Sequence, residues 1–276
     1  MNTDVSLYPA IERLLLAADI DDKPQAVQHM YWRWQQGGLL RDATAALYPV
    51  PQPGRPLRPT LINPRDVPRR RVGSREGHAA MVHAIAHIEF NAINLALDAA
   101  WRFRAMPDSY VDDWLRIAAE EAAHFKLLRT RLQALGFDYG DFPAHNTLWE
   151  MAVKTDHDVL VRMALVPRVM EARGLDAVPI VQDKLRHIGD LETAAVLDIV
   201  LRDEIGHVRV GNYWFTTLCD ERGLAPVETF RALLRDYRVS ELRGVYNLEA
   251  RRDAGFSELE LAMLQDFTVT RDRQET

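Results

Sequence analysis

The sequence holds a single cysteine, Cys219, so it can form neither an internal disulfide nor a zinc site built on its own thiolates. It also lacks an excess of positive charge, because 34 Lys and Arg stand against 40 Asp and Glu and give a formal charge of -6. No global attraction to nucleic acid or to anionic membranes is therefore expected. No apolar run of about 18 residues and no leader-like N-terminus occurs, which predicts a soluble, cytoplasmic protein without a membrane partner.

Strand signals are nearly absent as well. Between Ser74 and Thr276 the sequence shows no sustained alternation of apolar and polar residues and no Asn-Gly turn, so the predicted class is all-α. A chain of 276 residues that is 47% hydrophobic is long enough to bury a substantial core. We predict three parts: N-terminal helices with a proline-rich strap over 1–73, a four-helix bundle over 74–220, and a helical extension over 221–276.

Helix-forming residues with apolar side chains at helical spacing fill most of the chain after Ser74. The four predicted long helices cover about 75–104, about 109–135, a segment that ends at 174, and about 190–219. The tail predicts two shorter helices, near 226–237 and near 258–267.

Prolines are concentrated in one stretch ahead of these helices. Six prolines lie between Val50 and Pro68, where they fix the backbone φ and remove hydrogen-bond donors. This composition predicts an extended strap and excludes a helix or a central strand. The basic run Arg69-Arg70-Arg71 that follows is interpreted as a solvated linker or an ion-pair partner, with a nucleic-acid contact as the alternative.

A Glu-x-x-His pair occurs twice, as Glu121/His124 and Glu204/His207, although fewer than one such pair is expected by chance from 16 Glu and 9 His. Residues three apart lie on one face of a helix, so each pair can present a carboxylate and an imidazole to the same point. Both pairs lie on apolar stripes. An unpaired carboxylate in a core is so costly that it must be protonated, paired or metal-bound.

Two further acids complete a repeated pattern. Glu89 lies alone on an apolar stripe, and Glu171 lies on a less regular one beside Arg168 and Arg173, which leaves an Arg partner open as the alternative for either acid. Glu89 precedes Glu121 by 32 residues, and Glu171 precedes Glu204 by 33. The chain therefore contains one helical hairpin twice. Two such hairpins form a four-helix bundle with four Glu and two His pointing inward, the arrangement of di-metal carboxylate proteins.

The charge of these six residues fits two divalent ions. Four carboxylates balance two such cations, and the formal charge would rise from -6 to -2 on binding. Oxygen and imidazole ligands without a thiolate suit iron first and manganese as the alternative, while zinc is less expected.

The length of the chain constrains its topology. In this arrangement the second and third long helices run parallel, so the chain must cross the bundle between them. If the third helix were continuous from Thr147, about 11 residues would have to span nearly 60 Å, beyond their extended reach. We therefore predict that 146–154 belongs to the crossover, that the ligand-bearing helix begins near 156–158, and that Pro167 kinks or bulges it.

The remaining polar residues near the ligands receive structural interpretations. His83 and His87 point away from the face of Glu89, so core or supporting roles are favoured over ligation. Asp198 and Asp203 could orient an imidazole, although solvation is favoured. No tyrosine lies one helical turn from a ligand, so no stable tyrosyl radical is proposed.

These motifs resemble a known family. Through the segments HAIAHIEFNAINLALDAAWRF, EEAAHFKLL, LVPRVMEARGLD and LRDEIGHV, the chain resembles the ferritin-like superfamily and, within it, the uncharacterised DUF455 family. The resemblance extends over about 69–219 and is more distant to the di-metal tRNA hydroxylase family. It implies an iron-type redox site but no particular substrate. The implied metal ligands are Glu89, Glu121, His124, Glu171, Glu204 and His207.

The expected function is a di-metal oxidoreductase that activates dioxygen to oxidise a small or nucleoside-like substrate, with the four glutamates Glu89, Glu121, Glu171 and Glu204 as catalytic residues. Electrons would come from a partner protein, because no flavin or nicotinamide fingerprint is present. The alternatives are a dimanganese catalase and an iron-handling ferroxidase. A tRNA substrate rests on analogy alone, and a homodimer is left open.

Overall fold

The computed structural model describes residues 5–41, 46–68, 70–239 and 245–272 and is all-helical apart from one pair of two-residue strands. The strands β1 (Val5–Ser6) and β2 (Leu39–Leu40) pair in parallel. The helices are α1 (Leu7–Leu16), α2 (Asp22–Gln35), α3 (Arg75–Arg102), α4 (Asp108–Ala134), α5 (Thr147–Lys154), α6 (Val159–Leu165), α7 (Ala172–His187), α8 (Leu191–Glu221), α9 (Pro226–Asp236), α10 (Leu248–Asp253) and α11 (Glu258–Asp272). The all-α prediction is confirmed. The predicted basic run falls partly outside these residues, because Arg69 is not among them.

The chain divides into two compact units, which are described separately below. The first contains 1–154 and 188–196, and the second contains 155–187 and 197–276. The first turns of α8 thus belong to the first unit and the rest of that helix to the second.

In the first unit, α3 and α4 pack against each other as a helical hairpin. Ser74 caps α3, because its Oγ accepts a hydrogen bond from the backbone N–H of Gly77 at 3.1 Å. Pro107 ends the short connection after Phe103 and precedes the first turn of α4. The observed bounds agree with the predicted ones to within about two residues. By length and composition α3 could cross a membrane. However, 72% of its apolar 18-residue segment is buried, as in the core helix of a soluble protein.

The N-terminal helices and the strap meet α3 at a buried lysine. Lys23 is 1% exposed, and its Nζ donates to the carbonyl oxygens of Ala17 and Gly54, each at 3.0 Å, and to Asn94 Oδ1 at 2.5 Å. Gly54 lies so close to α1 that a Cβ there would be 2.2 Å from the carbonyl oxygen of Leu16. Val50 to Pro68 contains no helix or strand longer than the single 3₁₀ turn Pro64–Asp66, so the strap prediction is confirmed.

The third long helix is interrupted, as the length argument requires. The helical conformation ends after α5 and resumes at α6. There the side chain of Asp158 accepts hydrogen bonds from the backbone N–H groups of Leu160 and Val161. A π-helical turn then runs over Val166–Glu171, with Pro167 near its start, and leads into α7. The predictions of a separate short helix within 146–154, of a late start for the ligand-bearing helix and of a bulge at Pro167 are confirmed.

The predicted end of this helix at Gly174 is wrong, because α7 continues to His187. Gly174 does not act as a C-terminal stop. It lies inside α7 and faces Glu204, since a Cβ at this position would be in ordinary van der Waals contact with Glu204 Cγ at 3.5 Å. In the tail, α9 and α11 were expected, whereas the six-residue α10 was not.

Candidate metal centre

Three of the predicted ligands come together in the first unit. Glu89 on α3 and Glu121 and His124 on α4 are 5%, 1% and 1% exposed. His124 Nδ1 lies 3.2 Å from Glu89 Oε2 and 3.4 Å from Glu121 Oε2. One ligand atom from each residue lies within 4.8 Å of the others, so a single cation could contact all three. The sequence had left an Arg partner open for Glu89, but the contact found is with His124.

The electrostatics of this group favour a bound positive charge. Burial and the nearby charge of Glu121 raise the pKa of Glu89 well above its ordinary value. Burial lowers the pKa of His124, but hydrogen bonds and charges from Glu121 and Glu89 outweigh it and raise this pKa to about 11. The group therefore retains protons that offset part of its buried negative charge. A divalent ion can replace those protons and relieve the same repulsion.

An aromatic wall lies beside these ligands. The ring of Tyr139, from the connection after α4, lies 5.5 Å from that of Phe90 and 5.1 Å from that of Phe125, centroid to centroid. Phe90 follows the ligand Glu89, and Phe125 follows the ligand His124. The sequence gave no reason to link Tyr139 to Phe90 and Phe125, because the fold brings it to them. The three rings form part of the buried core around the ligand-bearing helices.

His83 and His87 are core residues that support this wall, as the sequence predicted. His87 Nε2 faces the carbonyl oxygen of His145 at 3.0 Å, so this nitrogen carries the proton. His87 Nδ1 then accepts from the Tyr139 hydroxyl at 2.9 Å. His83 Nε2 accepts from the backbone N–H of Gly140 at 3.0 Å.

We expect His83 to make the protein less stable in mild acid. Burial lowers its pKa to about 4, against a partial opposing effect of Asp141, whereas the value in the unfolded chain is 6.5. The unfolded chain therefore binds more protons between these pH values. The contribution of His83, about 3 kcal/mol, is present above pH 6.5 and is lost as the pH falls towards 4.

Urea unfolding of the wild type and of His83→Gln between pH 4 and 7 measures this contribution. Gln can still accept from Gly140 but does not titrate, so the variant should lose stability less steeply with falling pH. Burial also lowers the pKa of His87 to about 4, so part of the pH dependence of stability should remain in both proteins. An equal pH dependence in the two proteins would contradict the role of His83.

The other three predicted ligands lie in the second unit. Glu204 and His207 on α8 are 7% and 0% exposed, and His207 Nδ1 lies 3.3 Å from Glu204 Oε2. Glu171, the last residue of the π-helical turn, is 9% exposed. Each Glu-x-x-His pair thus presents Nδ1 of its histidine to the carboxylate of its glutamate.

Two close contacts set the register between the π-helical turn and α8. Gly174 faces Glu204, and Gly211 faces Pro167 so closely that a Cβ on Gly211 would lie 2.4 Å from Pro167 Cβ. The later residue of the first segment, Gly174, meets the earlier residue of α8, Glu204. The two segments therefore run antiparallel. Glu171 lies midway between Pro167 and Gly174, as His207 lies midway between Glu204 and Gly211. The register therefore places Glu171 at the level of His207.

The arginines next to Glu171 in sequence have different surroundings. Arg168 forms its ion pair with Glu260, and Arg173 is exposed. Asp198 is 64% exposed and interacts with Gln182 and Arg186, which confirms it as a solvated acid. Asp203 forms an ion pair with Arg202 at 2.8 Å.

The donor set fits a hard or borderline divalent ion. Carboxylate oxygen and imidazole nitrogen are ligands for iron, manganese and zinc, and the dry surroundings leave no water to stabilise the carboxylate charges. Each unit offers buried carboxylates and one imidazole. The ligand group of the first unit is therefore suited to holding a metal ion, and Glu204 and His207 in the second unit offer the same types of ligand atom.

Comparison with known proteins yields a family and one relative. Residues 16–262 match the model of a family described as "Protein of unknown function (DUF455)". An uncharacterized protein of Haemophilus influenzae is 51% identical over 222 residues, which cover 78% of this chain and 77% of that protein. No solved structure matches the chain.

Proposed function

The chain belongs to the DUF455 family, and we propose that it is a di-metal carboxylate oxidoreductase with a ferritin-like four-helix bundle. The six residues Glu89, Glu121, His124, Glu171, Glu204 and His207 would hold two divalent ions, with iron as the expected metal and manganese as the alternative. The observation that carries the proposal is the buried group of Glu89, Glu121 and His124, with ligand atoms within 4.8 Å of one another.

The repetition of this chemistry in the second unit supports two ions. Glu204 and His207 repeat the spacing of Glu121 and His124, and both histidines turn Nδ1 towards a carboxylate. Glu171 would take the place of Glu89 in this second set. Two carboxylates and one neutral imidazole per divalent ion give a neutral set, which removes the cost of burying either charge alone.

Two bound ions would supply the redox chemistry, in which dioxygen is reduced and a C–H bond of a small or nucleoside-like substrate is oxidised. A hydroxylation consumes one dioxygen, two electrons and two protons and releases water with the hydroxylated product. A separate electron-donor protein would deliver the two electrons. The four glutamates would act as the catalytic carboxylates.

The chain's own residues prepare the site for this chemistry. Glu89 and Glu121 orient the His124 ring by their contacts with its Nδ1, and all three side chains are buried away from solvent. A dry, preorganised ligand set limits competing reactions of the bound metals with solvent. We place this activity in the cytoplasm.

The reaction of the ferrous protein with dioxygen tests the proposal. Protein loaded anaerobically with two Fe²⁺ per chain should consume dioxygen faster than free Fe²⁺ and develop a transient visible absorption during a single turnover. The matched control is Glu120→Gln, which alters the half-exposed neighbour of Glu121 that pairs with Arg116. This control should react like the wild type. A wild-type rate equal to that of free iron, with any reductant, would overturn the proposal.

The same preparation separates the alternatives. A dimanganese catalase would release dioxygen from hydrogen peroxide without a reductant when loaded with Mn²⁺. A ferroxidase would continue to oxidise Fe²⁺ added in excess and would need no organic substrate. A tRNA substrate remains a minor candidate, because the net charge of -6 does not favour it.

A further inference from the structure

Arg168 is a buried charge on the π-helical turn that carries Glu171. Its side chain is 1% exposed, its Nε donates to Asn212 Oδ1 at 2.5 Å, and its Nη2 donates to the carboxylate of Glu260. The guanidinium lies between the rings of Phe215 and Phe230, at 4.1 and 4.0 Å from their centroids. Such stacking is favourable for Arg and fixes the plane of the group.

The partners of Arg168 come from three different helices and are themselves held in place. Asn212 lies on α8, and its Nδ2 donates to the carbonyl oxygen of Ala254 at 2.6 Å. Glu260, on α11, accepts from the backbone N–H and from the hydroxyl of Ser257, each at 2.9 Å. One guanidinium therefore joins the π-helical turn to α8 and to the C-terminal helices.

A π-helical turn needs such external support. It holds more residues per turn than an α-helix and is rare, so a segment that loses its support tends to return to α-helical geometry. That return would rotate Glu171 by roughly one residue, about 100°, relative to the helix before it. The side chain of Glu171 would then point to a different side of the helix.

We propose that Arg168 is a positioning residue for the metal centre. By fixing the turn Val166–Glu171 against α8, it keeps Glu171 at the level of His207 and Glu204. The C-terminal helices α9 and α11 then serve the centre through the partners of this one side chain. The inference rests on the proposed function, since it requires that Glu171, Glu204 and His207 bind metal.

Co²⁺ binding to the full-length protein tests the role, because the visible absorption of Co²⁺ reports both affinity and coordination. Arg168→Gln should weaken the binding of one of the two ions by about 10–100-fold and change its spectrum, as loss of a residue that orients ligands does. The control is Arg162→Gln, which removes an equally buried arginine of the same unit whose Nε donates to Thr155. Its Co²⁺ affinity should stay within about twofold of the wild type.

A double variant distinguishes a change in the position of Glu171 from a loss of overall protein stability. Replacing a buried ion pair by apolar residues commonly preserves stability, so R168M/E260M should unfold near the wild-type temperature and still bind one Co²⁺ weakly. Wild-type affinity in this variant or in Arg168→Gln would overturn the inference. Failure of the wild type itself to bind Co²⁺ would overturn the proposed function instead. If Arg168→Gln does not fold, the double variant decides.

Discussion

Replacing Glu121 by Ala should remove the ion of the first ligand group and reduce the metal content from two ions per chain towards one. Glu121 is 1% exposed and contacts the only imidazole of its ligand group, so its loss leaves one carboxylate and His124 to hold an ion. His207→Ala should cause an equivalent loss from the second ligand group. Elemental analysis after loading with Fe²⁺ and desalting gives the content directly.

Thermal unfolding gives an independent measure of the same variant. Metal at 100–1,000 times its dissociation constant should stabilise the wild type by about 3–4 kcal/mol. Glu121→Ala should lose the part of this gain that the first ion supplies, and its metal-free form should be at least as stable as the metal-free wild type. The reason is that the charge of Glu121 contributes to the raised pKa of Glu89, and this repulsion disappears. Two ions retained in Glu121→Ala would contradict the ligand assignment.

Lys23→Met should cost about 2–4 kcal/mol of stability at pH 7, because it leaves two buried carbonyl oxygens and Asn94 Oδ1 without their donor. It should also change the dependence on pH. Burial lowers the pKa of Lys23 from 10.5 to about 7, so the unfolded chain binds more protons between these values. The wild type should therefore gain up to about 5 kcal/mol from this group as the pH rises from 7 towards 10.5.

Urea unfolding at pH 7, 8 and 9 follows the difference between the wild type and Lys23→Met. The difference should grow with pH, because Met cannot titrate. Lys126→Met, which alters an exposed lysine of α4, should stay within about 0.5 kcal/mol of the wild type throughout. A difference that is constant from pH 7 to 9 would show that Lys23 keeps its proton in the fold.

The pairing of Glu121 with His124 and of Glu204 with His207 could be predicted because residues three apart share a helix face whatever the helix packs against. The interruption of the third helix before Glu171 could be predicted from the maximum span of an extended chain alone. By contrast, the end of α7 was misjudged because a glycine looks the same in sequence whether it stops a helix or lies within one, as Gly174 does.

Long-range polar contacts could not be predicted. Nothing in the sequence around Lys23 indicates a buried amine, since its acceptors Ala17, Gly54 and Asn94 come from three separate segments. Arg168 could be considered only as a neighbour of Glu171, whereas its carboxylate partner Glu260 lies 92 residues away. Such pairs depend on tertiary packing that local patterns do not encode.

The contact between Pro167 and Gly211 also has an evolutionary consequence. With 2.4 Å between Pro167 Cβ and a Cβ placed on Gly211, no side chain larger than hydrogen fits while the proline stays. Each residue therefore limits which substitutions are tolerated at the other, so the two positions should covary. Relatives that keep the proline should keep the glycine, and a lineage that lost one would be free to change both.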